Sequence, residues 1–99
     1  MKVYQDDLMP NVVLDLTDGG EPIDLTVATA IRVIGVRGTT TVFNRTVAGT
    51  AEGVVTMPLQ AGDTATIGRI QVEVEVMWPG NKPQTFRPAS TLDVVPDLA

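Results

Sequence analysis

Arg69-Ile70-Gln71-Val72-Glu73-Val74-Glu75-Val76-Met77-Trp78 is the stretch that decides the fold class. Ile70, Val72, Val74, Val76 and Trp78 alternate there with Gln71, Glu73, Glu75 and Met77. A helix would scatter these residues around its circumference, whereas a strand puts residues two apart on one face. The stretch therefore predicts a long strand with one buried apolar face. Burial contributes roughly 1.5–3 kcal/mol for each large apolar side chain on that face. Pro79-Gly80-Asn81-Lys82-Pro83 reads as a hairpin loop. Gln84–Arg87 and Thr91–Val95 then form the return strand, broken or bent at Pro88. The expected register sets Val76 against Phe86, both inward, and Glu75 against Arg87 on the outer face. A slip of one residue would bury Arg87 in an apolar core, so an odd-numbered loop containing Gly80 is expected.

Upstream, Val12, Leu14 and Leu16 alternate with Val13, Asp15 and Thr17, which predicts a half-buried strand. Asp18-Gly19-Gly20-Glu21-Pro22 is a turn and Ile23–Leu25 a short extended piece. Ala30–Arg37 and Thr40–Val47 pair across a turn at Gly38. A loop at Ala48–Gly53 leads to a strand at Val54–Leu59, with Pro58 at its far end or on an edge. Gln60–Thr66 reads as a connection with one helical turn, capped by Asp63 through the backbone N–H groups two and three residues on. Residues 1–10 are an arm or edge segment ending at Pro10, and 11–99 a single domain. Val, Thr and Ile make up about a third of the chain, a composition that suits a pleated sheet. About seven strands and no long helix predict an all-β, immunoglobulin-like two-sheet β-sandwich. The likeness is architectural, because the cysteine pair and central tryptophan of antibody domains are missing.

The 99 residues include 12 acidic and 7 basic side chains, for a formal charge of -5. An acidic surface repels a phosphate backbone, and no run of Lys or Arg offsets it, so nucleic acid is not an expected partner. Apolar stretches of a few residues are far short of the ~20 that span a bilayer, so no membrane association is expected. Lys2 is followed by Tyr4, Gln5, Asp6 and Asp7 rather than an apolar run, so a soluble product made in the cytoplasm is expected. There is no cysteine and no histidine, and Ser90 is the only serine. Neither a Ser-His-Asp nor a Cys-His arrangement can be built. The expectation is a protein that is not an enzyme, with no small-molecule substrate and no cofactor. Asp15, Asp18, Glu21 and Asp24 lie close in sequence. A glycosidase would set two carboxylates across a cleft with aromatic walls, and the chain has four aromatic residues in all. Their spacing does not match a calcium-binding EF-hand loop, so they read as a solvated turn without a metal. The Gly19-Gly20 pair precedes no helix and cradles no phosphate. Asn44-Arg45-Thr46 matches a glycosylation sequon and reads as a strand segment.

Four apolar or aromatic residues are candidate interface contacts: Tyr4, Leu8, Met9 and Trp78. Trp78, at a strand end, is either an exposed anchor for a partner or a lid over one end of the core. Tyr4, Leu8 and Met9 either dock on a neighbouring subunit or pair with this domain's own edge.

The pieces also stand in a recognisable order. Leu14-Asp15-Leu16-Thr17-Asp18 leads into Gly20-Glu21-Pro22-Ile23-Asp24-Leu25-Thr26. Ala30-Ile31-Arg32-Val33 and Gly53-Val54-Val55-Thr56 follow, then Asp63-Thr64, Gly68, the Pro79-Gly80-Asn81 hairpin and Thr85. Over roughly residues 11–95 this order resembles the immunoglobulin-like N-terminal domain of the phage baseplate upper protein family and its small stand-alone relatives in tailed phages. Relatives often carry tyrosine where this chain has Ile70, which supplies packing but no hydroxyl. The resemblance brings no catalytic residues. It implies a structural component of a tailed bacteriophage virion, in the tail tip, baseplate or as a minor tail protein. Such a part acts by assembly with other virion proteins in symmetric copies. A capsid decoration protein of the same fold, or a module that stacks host-surface glycans on Trp78 and Tyr4, are the alternatives.

Overall fold

A computed structural model describes residues 1–96; the last three residues of the expected 11–99 domain lie outside it. The elements are β1 (Lys2–Tyr4), β2 (Val12–Asp15), β3 (Thr17–Asp18), β4 (Glu21–Pro22) and β5 (Ala30–Arg37). β6 (Thr40–Val47), β7 (Val54–Met57), β8 (Gly68–Trp78) and β9 (Lys82–Val95) follow. The chain is all-β, with no helix among the described residues. A five-stranded sheet runs β1-β9-β8-β5-β6, and two-stranded ladders are formed by β2-β7 and β3-β4. All its neighbours pair antiparallel except β1, which lies parallel to β9 with Val3 opposite Val94.

The apolar faces of the sheets meet in one core. Ile70, Val72, Val74 and Val76 of β8 are fully buried, together with Val33 of β5 and Val55 of β7. Leu14 and Met57 pack onto them from the β2-β7 ladder, and Leu25 and Leu59 close the core from outside the strands. Gly35 sits under the Phe43 ring, where a side chain would collide with it. One extra residue, Val42, is accommodated in β6 beside this crossing, a bulge in the β5-β6 pairing.

The β8-β9 hairpin keeps the expected faces but not the expected register. Phe86 lies opposite Val74, not Val76, and Val76 lies opposite Gln84. Arg87 pairs with Glu73, Nε to Oε1 at 2.9 Å, and not with Glu75. The reason lies in the loop. Gly80 and Asn81 adopt positive φ angles of 84° and 58°, which lets the chain reverse over Pro79-Gly80-Asn81 alone. Trp78 then pairs directly with Lys82, and the tighter loop moves every partner by two residues. Because side chains alternate with period two, that shift changes no residue's face. Farther along, Val72 faces Ser90 while Val74 faces Phe86, so three residues of β9, Arg87 to Ala89, stand opposite Glu73 alone. The irregularity falls at Pro88, which has no N–H to offer a ladder.

Thr17-Asp18 and Glu21-Pro22 pair across the expected turn at Gly19-Gly20, and Ile23–Leu25 follows outside the named strands. Two other expectations are corrected. Gln60–Thr66 contains turns and no helical turn. Asp63 caps nothing that follows it. Its carboxylate accepts from the Gln60 N–H behind it at 2.8 Å and from the guanidinium of Arg45.

Candidate functional site

Tyr4 projects outward from β1, because its neighbour Val3 takes the inward place. It is 46% exposed, and the Lys2 ammonium lies 5.9 Å from the centre of its ring. The chain then crosses between the sheets at the end where β8 begins. Three hydrogen bonds hold that crossing: Asp6 N–H to Thr64 O at 3.0 Å, Gln5 Nε2 to Ala65 O at 2.8 Å, and Thr64 Oγ1 to Asp7 O at 2.9 Å. Leu8 and Met9 stand out from it, 47% and 69% exposed. The leading segment thus pairs with the domain's own sheet edge, and its apolar side chains still face outward.

Trp78 lies at the opposite end of β8. Its ring is half-buried against the core, and its indole N–H donates to Gln84 Oε1 at 2.9 Å. Ten residue steps separate Gly68 from Trp78, about 33 Å along the strand. The structure therefore does not gather the four candidate residues: three sit at one end and one at the other. Ile67, Val13 and Val27 are further exposed apolar side chains. Val13 was legible as the outward member of the β2 alternation; Ile67 and Val27 lie in irregular segments that carry no periodic signal.

The acidic residues of the first half come together through backbone hydrogen bonds. Leu16 N–H donates to Gly53 O, Ile23 N–H to Leu16 O, and Leu25 N–H to Thr50 O. These bonds bring the segments carrying Asp15, Asp18, Glu21, Asp24 and Glu52 to one region. Among the described residues no three His, Cys, Asp or Glu side chains are placed to hold a metal ion. Asp24 is instead engaged locally, accepting from Thr26 Oγ1 at 2.6 Å and Thr26 N–H at 3.0 Å. Those bonds hold its carboxyl below the ordinary value of 3.8.

One ion pair is buried. Arg45 on β6 grips Asp63 with both terminal nitrogens, Nη2 reaching Oδ1 at 2.6 Å. Asp63 is 3% exposed and the Arg45 side chain 23%. The Asp63 hydrogen bond raises the guanidinium above its already high pKa. This contact pins an edge strand to the Gln60–Thr66 connection.

Charge is sorted by sheet. All seven basic residues lie on strands of the five-stranded sheet: Lys2, Arg32, Arg37, Arg45, Arg69, Lys82 and Arg87. Only three acidic residues, Glu73, Glu75 and Asp93, share it. The other described residues hold eight acidic side chains and no basic one. Lys2, Arg32, Arg69 and Arg87 are exposed on its outer face, where carboxylates meet them: Arg69 pairs with Asp93, Arg87 with Glu73, and Arg32 lies opposite Glu75.

Two shallow hollows mark the surface. One of about 240 Å³ is lined by Ala30, Arg32, Glu75 and Met77 on the outer face of the large sheet. The other, about 230 Å³, lies between Leu25–Ile31 and Thr46–Gly49. Both are smaller than the ~300–1,000 Å³ of ordinary small-molecule pockets. What the surface offers chemically is shape, a large sheet of mixed charge beside acidic turns, and scattered apolar contacts. No protein-family model matches the chain, and no curated protein or solved structure is significantly similar to it.

Proposed function

We propose that this chain is a structural component of a tailed bacteriophage virion, placed in the tail tip, baseplate or as a tail-associated minor tail protein, and acting by protein–protein assembly. The observation that carries the reading is the coincidence of motif order with strand order. In an immunoglobulin-like sandwich one sheet runs G-F-C, extended by C′ in the variable type, and the B and E strands share the facing sheet. Here β9-β8-β5-β6 form the one series and β2-β7 the other. Of the segments resembling the baseplate upper protein family, Leu14-Asp15 lies on β2, Ala30–Val33 on β5, Val54–Thr56 on β7, Gly68 on β8 and Thr85 on β9, while the others fall in the turns and the short β3-β4 ladder between them. This arrangement supports the finer reading of an immunoglobulin-like two-sheet sandwich. Ile70, at the place where relatives carry tyrosine, is fully buried and contributes packing alone.

The surface suits such a part. The net charge keeps a small chain dispersed in the host cytoplasm before assembly. A glycan platform is less well supported, because Tyr4 and Trp78 stand at opposite ends of the molecule and Trp78 is half-buried. Mass spectrometry of purified particles tests the proposal: the chain is expected at a fixed stoichiometry to the tail proteins. Its absence overturns the reading. Its presence in separated heads but not tails moves it to the capsid decoration alternative.

A further inference from the structure

We infer that Asp18-Gly19 is a site of spontaneous covalent modification, where aspartate converts to isoaspartate through a cyclic imide. The sequence singles the position out. Asp18-Gly19 is the only Asp-Gly or Asn-Gly step in the chain. In this reaction the main-chain nitrogen of the following residue attacks the side-chain carboxyl carbon, so a side chain on that residue obstructs it. Every other aspartate is followed by leucine, threonine, valine or a further aspartate.

The fold adds access and freedom of movement. Thr17 to Pro22 are all exposed. Asp24, Asp63 and Asp93 are each held by a donor, from Thr26, Arg45 and Arg69 respectively. Among the described residues no hydrogen bond or ion pair holds the Asp18 carboxylate. Ring closure requires Asp18 to leave the extended backbone of β3, so that its carboxyl carbon meets the Gly19 nitrogen. Little opposes that rotation. The β3-β4 ladder consists of Thr17 opposite Pro22 and Asp18 opposite Glu21, and Pro22 has no N–H to donate. Gly19 and Gly20 sit at φ of 60° and 85°, and an added Cβ at either would meet no atom within 4 Å. The base of the excursion is closed separately, by Ile23 N–H to Leu16 O at 3.2 Å and Leu16 N–H to Gly53 O at 2.8 Å. The turn can therefore open while the core below it stays closed.

The chemistry balances without a co-reactant. Gly19 N bonds to Asp18 Cγ, and the amide proton leaves with the hydroxyl of the protonated carboxyl as water. Water then reopens the ring at either carbonyl. Attack at Cγ restores aspartate. Attack at the main-chain carbonyl carbon leaves the chain running through the side-chain carboxyl, with an extra methylene in the backbone and a free α-carboxylate. The extra methylene takes Glu21 out of register with Asp18, while the bonds at Leu16 confine the change to the turn. In a particle whose proteins are not renewed, the product accumulates with age; that consequence alone rests on the virion role proposed above.

The test ages the purified full chain at neutral pH and body temperature for several weeks, beside a sample unfolded in guanidinium chloride. Protein isoaspartate methyltransferase with labelled S-adenosylmethionine counts the free α-carboxylates, and electron-transfer fragmentation places them in the sequence. Isoaspartate is expected at Asp18 in excess over every other aspartate, preceded by a species lighter by one water. The native rate is expected within about tenfold of the unfolded rate, because the ladder that opens is at the low end of local stability. Asp18→Glu keeps the charge but closes to an imide far less readily, and is expected to lose the signal. Native chain that forms no isoaspartate at Asp18, or forms it more than about tenfold more slowly than the unfolded chain, overturns the inference. So does a signal that survives Asp18→Glu or is spread evenly over the other aspartates. The native-against-unfolded comparison needs no variant, and its result is independent of whether the chain is found in purified particles.

Discussion

Removing Arg45 should be among the most damaging single changes outside the apolar core. Arg45→Leu leaves the Asp63 carboxylate 3% exposed, with one remaining donor, the Gln60 N–H at 2.8 Å. Stranding one member of a buried pair costs about 3–5 kcal/mol. The Arg45 side chain is 23% exposed, so water reaches the vacated space and the lower figure applies, about 3 kcal/mol. Adding Asp63→Asn should restore much of this. The amide keeps a carbonyl oxygen for Gln60 and buries no charge, so the double variant should lose only about 1 kcal/mol. Urea unfolding followed by Trp78 fluorescence measures both. With a slope of about 1 kcal/mol per molar urea for a chain of this size, Arg45→Leu lowers the midpoint by about 3 M. Heating should give a fall of about 12–20 °C in Tm. The expected signature is a second substitution that relieves the first. A loss under about 1 kcal/mol for Arg45→Leu, or losses that simply add, would refute the picture of a buried carboxylate that depends on its cation.

Gly53→Ala should destabilise by about 2 kcal/mol or more, since Gly53 has φ of 80° and an added Cβ would lie 2.5 Å from the Leu16 carbonyl oxygen; unchanged thermal unfolding would contradict this. Thr26→Val removes the stronger of the two hydrogen bonds to Asp24 and should move its carboxyl pKa up toward 3.8, read by NMR titration of the side chain. Asp24 has a lowered folded pKa, so its stabilising contribution is present above 3.8 and is lost as pH falls through the folded value; the variant should flatten that acid-side loss. A double-mutant cycle on Glu73 and Arg87 should give a small coupling of about 0.2–1 kcal/mol, and the same cycle on Glu75 and Arg87 should give none. The opposite result would restore the alternative hairpin register.

Much of this fold can be read along the chain wherever one strand has one buried face. The alternation from Ile70 to Trp78 falls on β8, and the Ala30–Arg37 and Thr40–Val47 stretches coincide with β5 and β6. Register is a different kind of information. Hydrophobic pattern distinguishes slips of one residue, which invert faces, but is blind to slips of two. The choice between Val74 and Val76 as partner of Phe86 is made by the backbone angles at Gly80 and Asn81, and a positive φ at asparagine is only weakly signalled by its identity. Asp63 shows the same limit of local pattern. An aspartate ahead of a short polar segment looks like a cap, yet its strongest partner, Arg45, comes from 18 positions earlier and from another element. β1 was equally ambiguous, because three residues are too few for periodicity to identify them as a strand.

The placement of charge illustrates why composition hides the surface of a β protein. Along the chain the basic residues run from Lys2 to Arg87 with no cluster, which by itself suggests a surface of mixed charge. Yet residues 10–29 and 48–67 contain no cation, and these spans supply β2, β3, β4 and β7. Strands distant in sequence become neighbours in the large sheet, so a sparse linear distribution turns into a sheet that holds every cation. On the outer face of that sheet carboxylates meet the cations, Asp93 at Arg69 and Glu73 at Arg87, so the net charge of -5 comes from the turns and the β2-β7 side. The edges of the large sheet are blunted as well. β6 carries the Val42 bulge and an inward-pointing Arg45, and the β9 edge beyond β1 includes Pro83 and Pro88. Such features disfavour edge-to-edge pairing.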